Sequence, residues 1–421
     1  LKVSDKRDNC ISCGFPLGPD VVDIGEQYPS AIFPEIDSAY RDELEKTSLN
    51  VAKCTRRECG LVQLSNEYDL DVVFENYPFV SGTTATMIDI LTSVLQEGLS
   101  HVELSENDAV LDIGGNDGTM LAQLSQPLLA RVNIDAAHGV KSIVDGGNYT
   151  RIQGKFSSDL YHGLGLPAPK LIFSVAMFYH LSDPISFSKQ VEKIMSNDSV
   201  WVLQMTYLGS MLDSNIYDNI VHEHVAYYSL QSLEYLLSQV GLEVFSSKVV
   251  KSYGGSIRAC IRKKGASVGS DNGNNADVKA YEVKSGINSL VALERFNERA
   301  QLLKKVTHTF LKHISDIEGG ILALGASTKG NMICQFLGLD KSIIKGALDN
   351  NEKKIGLSMT GSDIPILDED SLLVDVPKYL LVLPYYYIDF FVKMIGGKLR
   401  SGQVCYLIVP LPEPYVITVE G

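Results

Sequence analysis

The segment Val110-Leu-Asp-Ile-Gly-Gly-Asn-Asp-Gly-Thr-Met-Leu constrains the fold most, because an apolar strand runs straight into a turn holding Gly114, Gly115 and Gly118. Glycines let a ligand approach such a turn closely, and a helix is expected to start near Thr119. Similar runs follow. Val132-Asn-Ile-Asp, Leu171-Ile-Phe-Ser-Val and Ser199-Val-Trp-Val-Leu-Gln read as further strands, and Arg258-Ala-Cys-Ile-Arg as a later antiparallel one. Residues 84–100 carry apolar side chains at helical spacing. Strands alternating with helices predict an α/β sheet.

A second series begins with Ile321-Leu-Ala-Leu-Gly and continues through Ile344-Lys-Gly-Ala-Leu-Asp, Tyr379-Leu-Leu-Val-Leu and Cys405-Tyr-Leu-Ile-Val. Between the two series, residues 265–286 are rich in Gly, Asn and Ser and read as a loop. A long helical pattern over about 287–316 follows, stopped by Gly319-Gly320. The expected organisation is a small domain over 1–65, an α/β domain over 66–265, a linker over 266–286 and a second α/β domain over 287–421.

The 421 residues carry 51 Asp and Glu against 37 Lys and Arg, a net charge of −14. That balance argues against a chain that coats nucleic acid or an anionic membrane, since both reward a basic surface. No apolar run of membrane-spanning length and no signal-peptide core appear, so the chain is expected to be cytoplasmic. The expected partner is a small molecule, with the protein a monomer or homodimer.

Four of the seven cysteines fall in the first 60 residues, as Cys10-x2-Cys13 and Cys54-x4-Cys59. Four thiolates from two tight turns can close a tetrahedron around Zn2+ and leave no open position, so a structural site is expected. Cys260, Cys334 and Cys405 sit in apolar contexts and read as buried.

At the glycine turn, two features favour S-adenosylmethionine over a nicotinamide dinucleotide. Asp112 precedes the first glycine, where a carboxylate suits a sulfonium and its amino group but repels a pyrophosphate, and the Gly-x-Gly-x-x-Gly spacing is absent. Asp135 ends the next strand, where an acid commonly accepts hydrogen bonds from a ribose. Further on, Asp218-Asn-Ile-Val-His-Glu-His-Val-Ala-Tyr-Tyr-Ser holds two of the eight histidines around a glutamate. The spacing is not that of a metalloprotease helix. Ser229 reads as the N-cap of the helix that follows, which puts His222, Glu223 and His224 in the loop entering it. A histidine suits general-base work, and Glu223 could orient or polarise it.

Taken together, these motifs resemble the sugar C-methyltransferases that act on nucleotide-linked keto-deoxysugars, over almost the whole chain. Asp112-Ile-Gly-Gly-Asn-Asp-Gly resembles that family's cofactor motif, which adds Asn116 and Asp117 to the cofactor residues. Ala176-Met-Phe-Tyr-His-Leu-Ser-Asp-Pro resembles the segment closing the cofactor pocket, with His180 on its histidine, and Tyr253-Gly-Gly-Ser-Ile-Arg resembles the strand after the catalytic loop. Gly325-Ala-Ser-Thr-Lys-Gly-Asn and Asp349-Asn-Asn-Glu-Lys-Lys-Ile-Gly resemble its C-terminal Rossmann-like domain, which helps hold the sugar nucleotide. Three positions depart from the pattern: Val221 and Phe79 stand where many members have tyrosines, and Leu383-Pro-Tyr-Tyr-Tyr where a Trp-Asn is common.

The resemblance implies a Rossmann-like class I methyltransferase domain between the zinc domain and the C-terminal domain. It also implies methyl transfer to the carbon beside a ketone, through an enolate. His224 is the expected base and Glu223 its partner, with His222, His180 or Tyr77 supporting the oxyanion. Arg258, Lys329 and Asn331 are candidates for the nucleotide or its phosphates. A same-fold enzyme acting on a non-sugar ketone or an oxygen, or a non-catalytic S-adenosylmethionine-binding protein, stays open at this stage.

Overall fold

The computed structural model describes residues 3–36, 44–69, 80–137, 149–271, 274–372 and 375–421. The N-terminal strands are β1 (Val3–Lys6), β2 (Leu17–Gln27), β3 (Thr47–Cys54), β4 (Val62–Leu64) and β5 (Asn66–Tyr68). β2, β3 and β4 form an antiparallel sheet, while β1 pairs with β5.

The middle domain opens with α1 (Ala85–Leu99), capped by the Thr84 hydroxyl, which accepts from Met87 N. It continues through β6 (Ala109–Ile113), β7 (Ala130–Asp135), β8 (Tyr149–Gln153), α2 (Ser158–His162), β9 (Leu171–Val175), α3 (Pro184–Ile194), β10 (Val200–Thr206) and α4 (Leu208–Asp213). After it come β11 (Ala226–Tyr227), α5 (Leu230–Ser238), β12 (Leu242–Val250) and β13 (Ser256–Lys263). Seven strands order as β12-β13-β10-β9-β6-β7-β8, all parallel except β13. Every residue of β6, β9 and β10 is buried, as central parallel strands covered on both faces must be.

β11 leaves this domain. It pairs with β4, Ala226 opposite Gln63 and Tyr227 opposite Val62, and becomes the fourth strand of the N-terminal sheet. The residues just before α5 are therefore built into the cysteine-bearing domain.

Two local expectations need correction. The helix expected near Thr119 is only a 3-10 turn, Leu121–Gln123. Asp117 takes up Thr119 N and Oγ1 (3.1 and 2.6 Å), and Pro127 disfavours a longer helix. The 265–286 stretch, expected as a loop, contains α6 (Asn274–Ser285). Its anchors are mostly polar, which hides it from periodicity: the buried carboxylate of Glu282 accepts from Leu230 N (2.6 Å), Gln231 N (3.1 Å) and the Tyr207 hydroxyl (2.9 Å).

α7 (Leu290–Glu318) is capped by Ser289 and ends at Gly319 in the left-handed region. The C-terminal domain follows with β14 (Ile321–Leu324), α8 (Thr328–Leu337), β15 (Ile344–Asp349), β16 (Ser358–Met359), β17 (Ile364–Asp368), β18 (Tyr379–Val382), α9 (Ile388–Gly396), β19 (Val404–Val409) and β20 (Tyr415–Glu420). Its sheet orders as β16-β17-β15-β14-β18-β19-β20, with antiparallel strands only at the edges. Strand order reverses around β6 in one sheet and β14 in the other, the places where such sheets bind ligands. No helix among the described residues is long and apolar enough to cross a membrane.

Replacing Glu282 by Ala should leave three buried donors without an acceptor, at about 1–3 kcal/mol for each one unsatisfied. The urea midpoint is expected to fall accordingly, and a variant as stable as the parent would show that α6 contributes little to the domain.

Candidate active site

One cavity of about 1250 Å³ lies between the carboxyl ends of the two parallel sheets. On the middle-domain side its wall is the turn after β6. Gly114 has φ +75°, and a Cβ there would fall 2.9 Å from Met177 Cγ; on Gly115 it would fall 2.4 Å from Asp112 Oδ2. Asp135 pins the turn by accepting from Asn116 N (2.7 Å) and from Ala137 N (2.6 Å). Gly114, Asn116 and Asp135 line the cavity. Gly118 holds a positive φ within the turn, and Asp117 is fully buried, accepting from Gly82 N (2.8 Å) and from Thr119. Asp117 therefore braces the turn.

Asp112 lies behind the turn with a buried oxygen, Oδ1, that has no hydrogen-bond partner among the described residues. Burial, then the charges of Asp135 and Asp117, push its carboxyl well above the usual carboxylate range. The glycine cradle and this orphaned acceptor fit a ligand that brings a positive charge, as S-adenosylmethionine does.

The opposite wall begins at the His-Glu-His loop. His224 and Glu223 line the cavity. His224 Nδ1 lies 2.7 Å from Asn219 O, and a carbonyl only accepts, so the proton sits on Nδ1 and Nε2 keeps its lone pair. His180, also on the cavity, stacks on His224 at 5.3 Å, and Tyr179 meets His224 edge-on at 4.5 Å. Burial holds His224 well below the usual histidine range and His180 down to about 3, so both rings are neutral near pH 7. Burial pushes Glu223 up to about 7. The bond that orients His224 thus comes from Asn219, not from Glu223.

Three sequence candidates stand away from the cavity. His222 bonds to the Thr47 hydroxyl (2.6 Å) and packs edge-on against Tyr68, so it ties the loop to β3. Arg258 is buried in β13 and donates to Gln204 Oε1 (2.8 Å) and Ser93 O (2.8 Å), beside Glu97. Asn331, fully buried, donates to Ser30 O (3.0 Å) and joins α8 to the N-terminal domain. Tyr77 and Phe79 lie outside the described residues.

Lys329, on the first turn of α8, does line the cavity. Its Nζ donates to Asn219 Oδ1 and to the Tyr386 hydroxyl (2.9 Å). Tyr386 donates to Asp218 Oδ2 (2.5 Å) and Tyr385 to Asp218 Oδ1 (3.1 Å). Sequence reasoning gave no role to Asn219, Asp218, Tyr385 or Tyr386. The signal was present: the first two precede the histidines, and the tyrosines are the departure noted after β18.

The C-terminal sheet repeats the cofactor cradle. Gly325, after β14, has φ +78° and donates to Leu348 O (2.6 Å), as Gly114 donates to Ile134 O (2.8 Å). Asp349 accepts from Ala326 N and Asn351 N, each at 2.8 Å, as Asp135 does in its own turn. A Cβ on Gly325 would fall 2.4 Å from Pro384 Cγ. The charge differs, however. Ala323 stands where Asp112 stands in the first cradle, and Lys354 Nζ lies 3.8 Å from Asp349 and donates to Ala326 O (2.8 Å). The first cradle gathers carboxylates alone, whereas the second sets an ammonium beside its carboxylate.

Away from the cavity, the Sγ atoms of Cys10, Cys13, Cys54 and Cys59 all lie within 4.8 Å of one another, with Cys10–Cys59 at 3.8 Å and Cys13–Cys54 at 3.4 Å. A zinc tetrahedron with bonds of about 2.3 Å has edges of about 3.8 Å, so the four thiols fit the ion.

Two features of His224 are measurable. Its resonances should not titrate between pH 8 and 5, because protonation would bury an imidazolium, and its nitrogen couplings should report the Nδ1–H tautomer. Titration near 6.5 would contradict the buried hydrogen-bonded ring.

Residues 86–247 match a family model described as a methyltransferase domain, and residues 251–412 match one described as a C-methyltransferase C-terminal domain. The C-methyltransferase NovU of Streptomyces niveus is 26% identical over 422 residues, 98% of this chain and 98% of that protein. Among solved structures, YcgJ of Bacillus subtilis is 15% identical with a TM-score of 0.31, over 41% of this chain and 98% of its own. The N-methyltransferase NodS of Bradyrhizobium japonicum is 14% identical with a TM-score of 0.31, over 42% and 95%. The two family models together, the nearly full-length relative and the glycine turn opening on the shared cavity make this chain a member of the C-methyltransferase family, an S-adenosylmethionine-dependent enzyme that transfers a methyl group to carbon.

Proposed function

We propose that the enzyme methylates the carbon next to the ketone of a nucleotide-linked deoxysugar, with His224 as the base that forms the enolate. The observation that carries this reading is the position of His224, on one cavity that also holds the donor cradle and a second cradle with an ammonium beside its carboxylate. An anionic ligand with a nucleoside part suits the second cradle, where Asp349 can accept from a sugar hydroxyl and Lys354 lies beside it. The sugar itself rests on the motif order in the sequence.

His224 Nε2 takes the proton from the carbon next to the ketone, while the Asn219 carbonyl holds the other side of the ring. Glu223, poised near neutrality, stabilises the imidazolium that results. S-adenosylmethionine supplies an electrophilic methyl group to the enolate carbon. Asp135 and the turn at Gly114 would hold its nucleoside, with Asn116, Asp117 and Gly118 shaping the loop and Asp112 adding negative charge behind the turn.

Replacing His224 by Asn should leave S-adenosylmethionine affinity nearly unchanged and lower turnover by about 10²–10⁴, the usual share of a positioned general base. The direct assay is exchange of the acceptor's acidic C–H with deuterium in the absence of a methyl donor. Exchange in the variant at the parent's rate would remove His224 from the role.

Zinc is the second part of the proposal, held by Cys10, Cys13, Cys54 and Cys59 in a structural role. Metal binding at such a site couples to folding. Elemental analysis should find one zinc per chain. Chelation should expose the N-terminal domain to protease and, through the β11–β4 pairing, the His222–His224 loop as well. Fresh protein without stoichiometric zinc would exclude the site.

A further inference from the structure

We infer that Lys329, reaching across from the C-terminal domain, is the catalytic cation that holds the negative charge of the enolate oxygen. The inference rests on the enolate reading above and adds the group that reading lacks. Proton removal next to a ketone shifts an electron pair onto the carbonyl oxygen, and a preorganised donor for that oxygen is commonly the largest single contribution to such catalysis. The histidines near the site do not supply a charge. His222 is turned to Thr47, off the cavity, and burial keeps His180 and His224 neutral.

Lys329 meets the requirement by geometry. It is half-buried in the cavity wall, and two acceptors, Asn219 Oδ1 and the Tyr386 hydroxyl, fix its ammonium. An ammonium has three N–H donors, and the third has no partner among the described residues. Asn219 does two things at once: its side chain holds Lys329, and its backbone carbonyl holds Nδ1 of His224 at 2.7 Å. Base and cation are therefore mounted on one residue, and both face the same cavity.

The surrounding charges explain how the ammonium persists there. Asp218 accepts from Tyr385 and Tyr386, and Tyr386 in turn accepts from Lys329, so the carboxylate balances the ammonium through one hydroxyl. Burial pulls the Lys329 pKa down while Asp218 and Glu223 push it back up. Of the other cations on the cavity, Arg7 pairs with Glu67 at 3.1 Å, Lys155 follows β8 on the side of the first cradle, and Lys354 lies beside Asp349 in the second. This division gives Lys354 the anionic part of the acceptor and Lys329 the reacting oxygen, in place of the phosphate role that sequence suggested for Lys329.

The step balances without a further reactant. His224 Nε2 takes the proton, the C–H electron pair becomes the enolate C=C bond, and the carbonyl π pair moves to the oxygen, which accepts from Lys329 Nζ. When the enolate carbon bonds to the methyl group, the S–CH3 bond of S-adenosylmethionine would break with its electron pair left on sulfur, giving S-adenosylhomocysteine, while the C=O bond reforms and the oxygen loses its charge. His224 then gives its proton to solvent.

The test uses the full chain with zinc, with thymidine- and uridine-diphosphate 4-keto-6-deoxyhexoses as probes in deuterated buffer without methyl donor. In Lys329→Met, exchange at saturating acceptor should fall about 10²–10³-fold, the usual cost of one oxyanion donor. Acceptor affinity, read by calorimetry, should stay within about threefold, and Lys329→Arg should recover part of the exchange because it keeps the charge. Asn219→Ala is the second variant: it removes an anchor of Lys329 but keeps the carbonyl on His224, and it should lose exchange in the same sense. If Lys329→Met exchanged like the parent at saturation but bound acceptor tenfold more weakly, the lysine would serve the phosphates and the inference would fall. If Asn219→Ala, folded by its S-adenosylmethionine binding, kept parental exchange, it would fall as well. Absence of exchange in the parent would instead overturn the enolate reading, and this inference with it.

Discussion

The pairing of Ala226–Tyr227 with Val62–Gln63 is the constraint on which the rest of the site depends. It inserts the strand after the His-Glu-His loop into the sheet that carries the cysteine knuckles, so the loop is stretched between two domains. Leu64 N donates to Val225 O (2.9 Å) and Thr47 bonds to His222, which fixes the loop from the same side. From the other side, Ser229 and Ser232 close a reciprocal cap at the start of α5. A loop held at both ends can keep His224 and Glu223 buried beside a large cavity without collapsing into it.

Burial then sets the chemistry. Asp112, Asp117 and Asp135 crowd one turn, and backbone donors answer Asp117 and Asp135 while Asp112 is left with an orphaned oxygen. Such an arrangement costs stability in the empty protein and is relieved by a ligand that brings charge. On the other wall Asp218, Asn219 and two tyrosines form a network that engages two of the three N–H groups of Lys329. Buried polar networks of this kind are strong when complete, because every member finds a partner in a medium of low dielectric.

Much of this was legible in the sequence, and the exceptions have physical causes. Both parallel sheets could be read because central strands are apolar on both faces, as in Ala109–Ile113 and Val200–Thr206. β8, β12 and β20 were not read, since shorter or half-exposed edge strands carry a weaker pattern. α6 was hidden because Glu282 anchors it in place of an apolar stripe. The His-Glu-His loop was recognisable from its histidines, yet local sequence could not tell that His222 faces β3 while His224 faces the cavity. That choice is made by β11 crossing into another domain, and only tertiary structure reveals it. Arg258 stands off the cavity for a related reason: Glu97 and Lys248 from neighbouring elements complete an internal cluster around it.

The two cradles, alike in backbone and different in charge, have a consequence under the proposed reading of the acceptor. Donor and acceptor would then each present a nucleoside to a glycine turn and a strand-end aspartate, so shape alone would sort them poorly. Sorting would fall to Asp112 on one side and Lys354 on the other, and because both are largely buried it would be only weakly screened by salt. An excess of either ligand would gain a second place to sit, which would leave the enzyme open to inhibition by its own substrates.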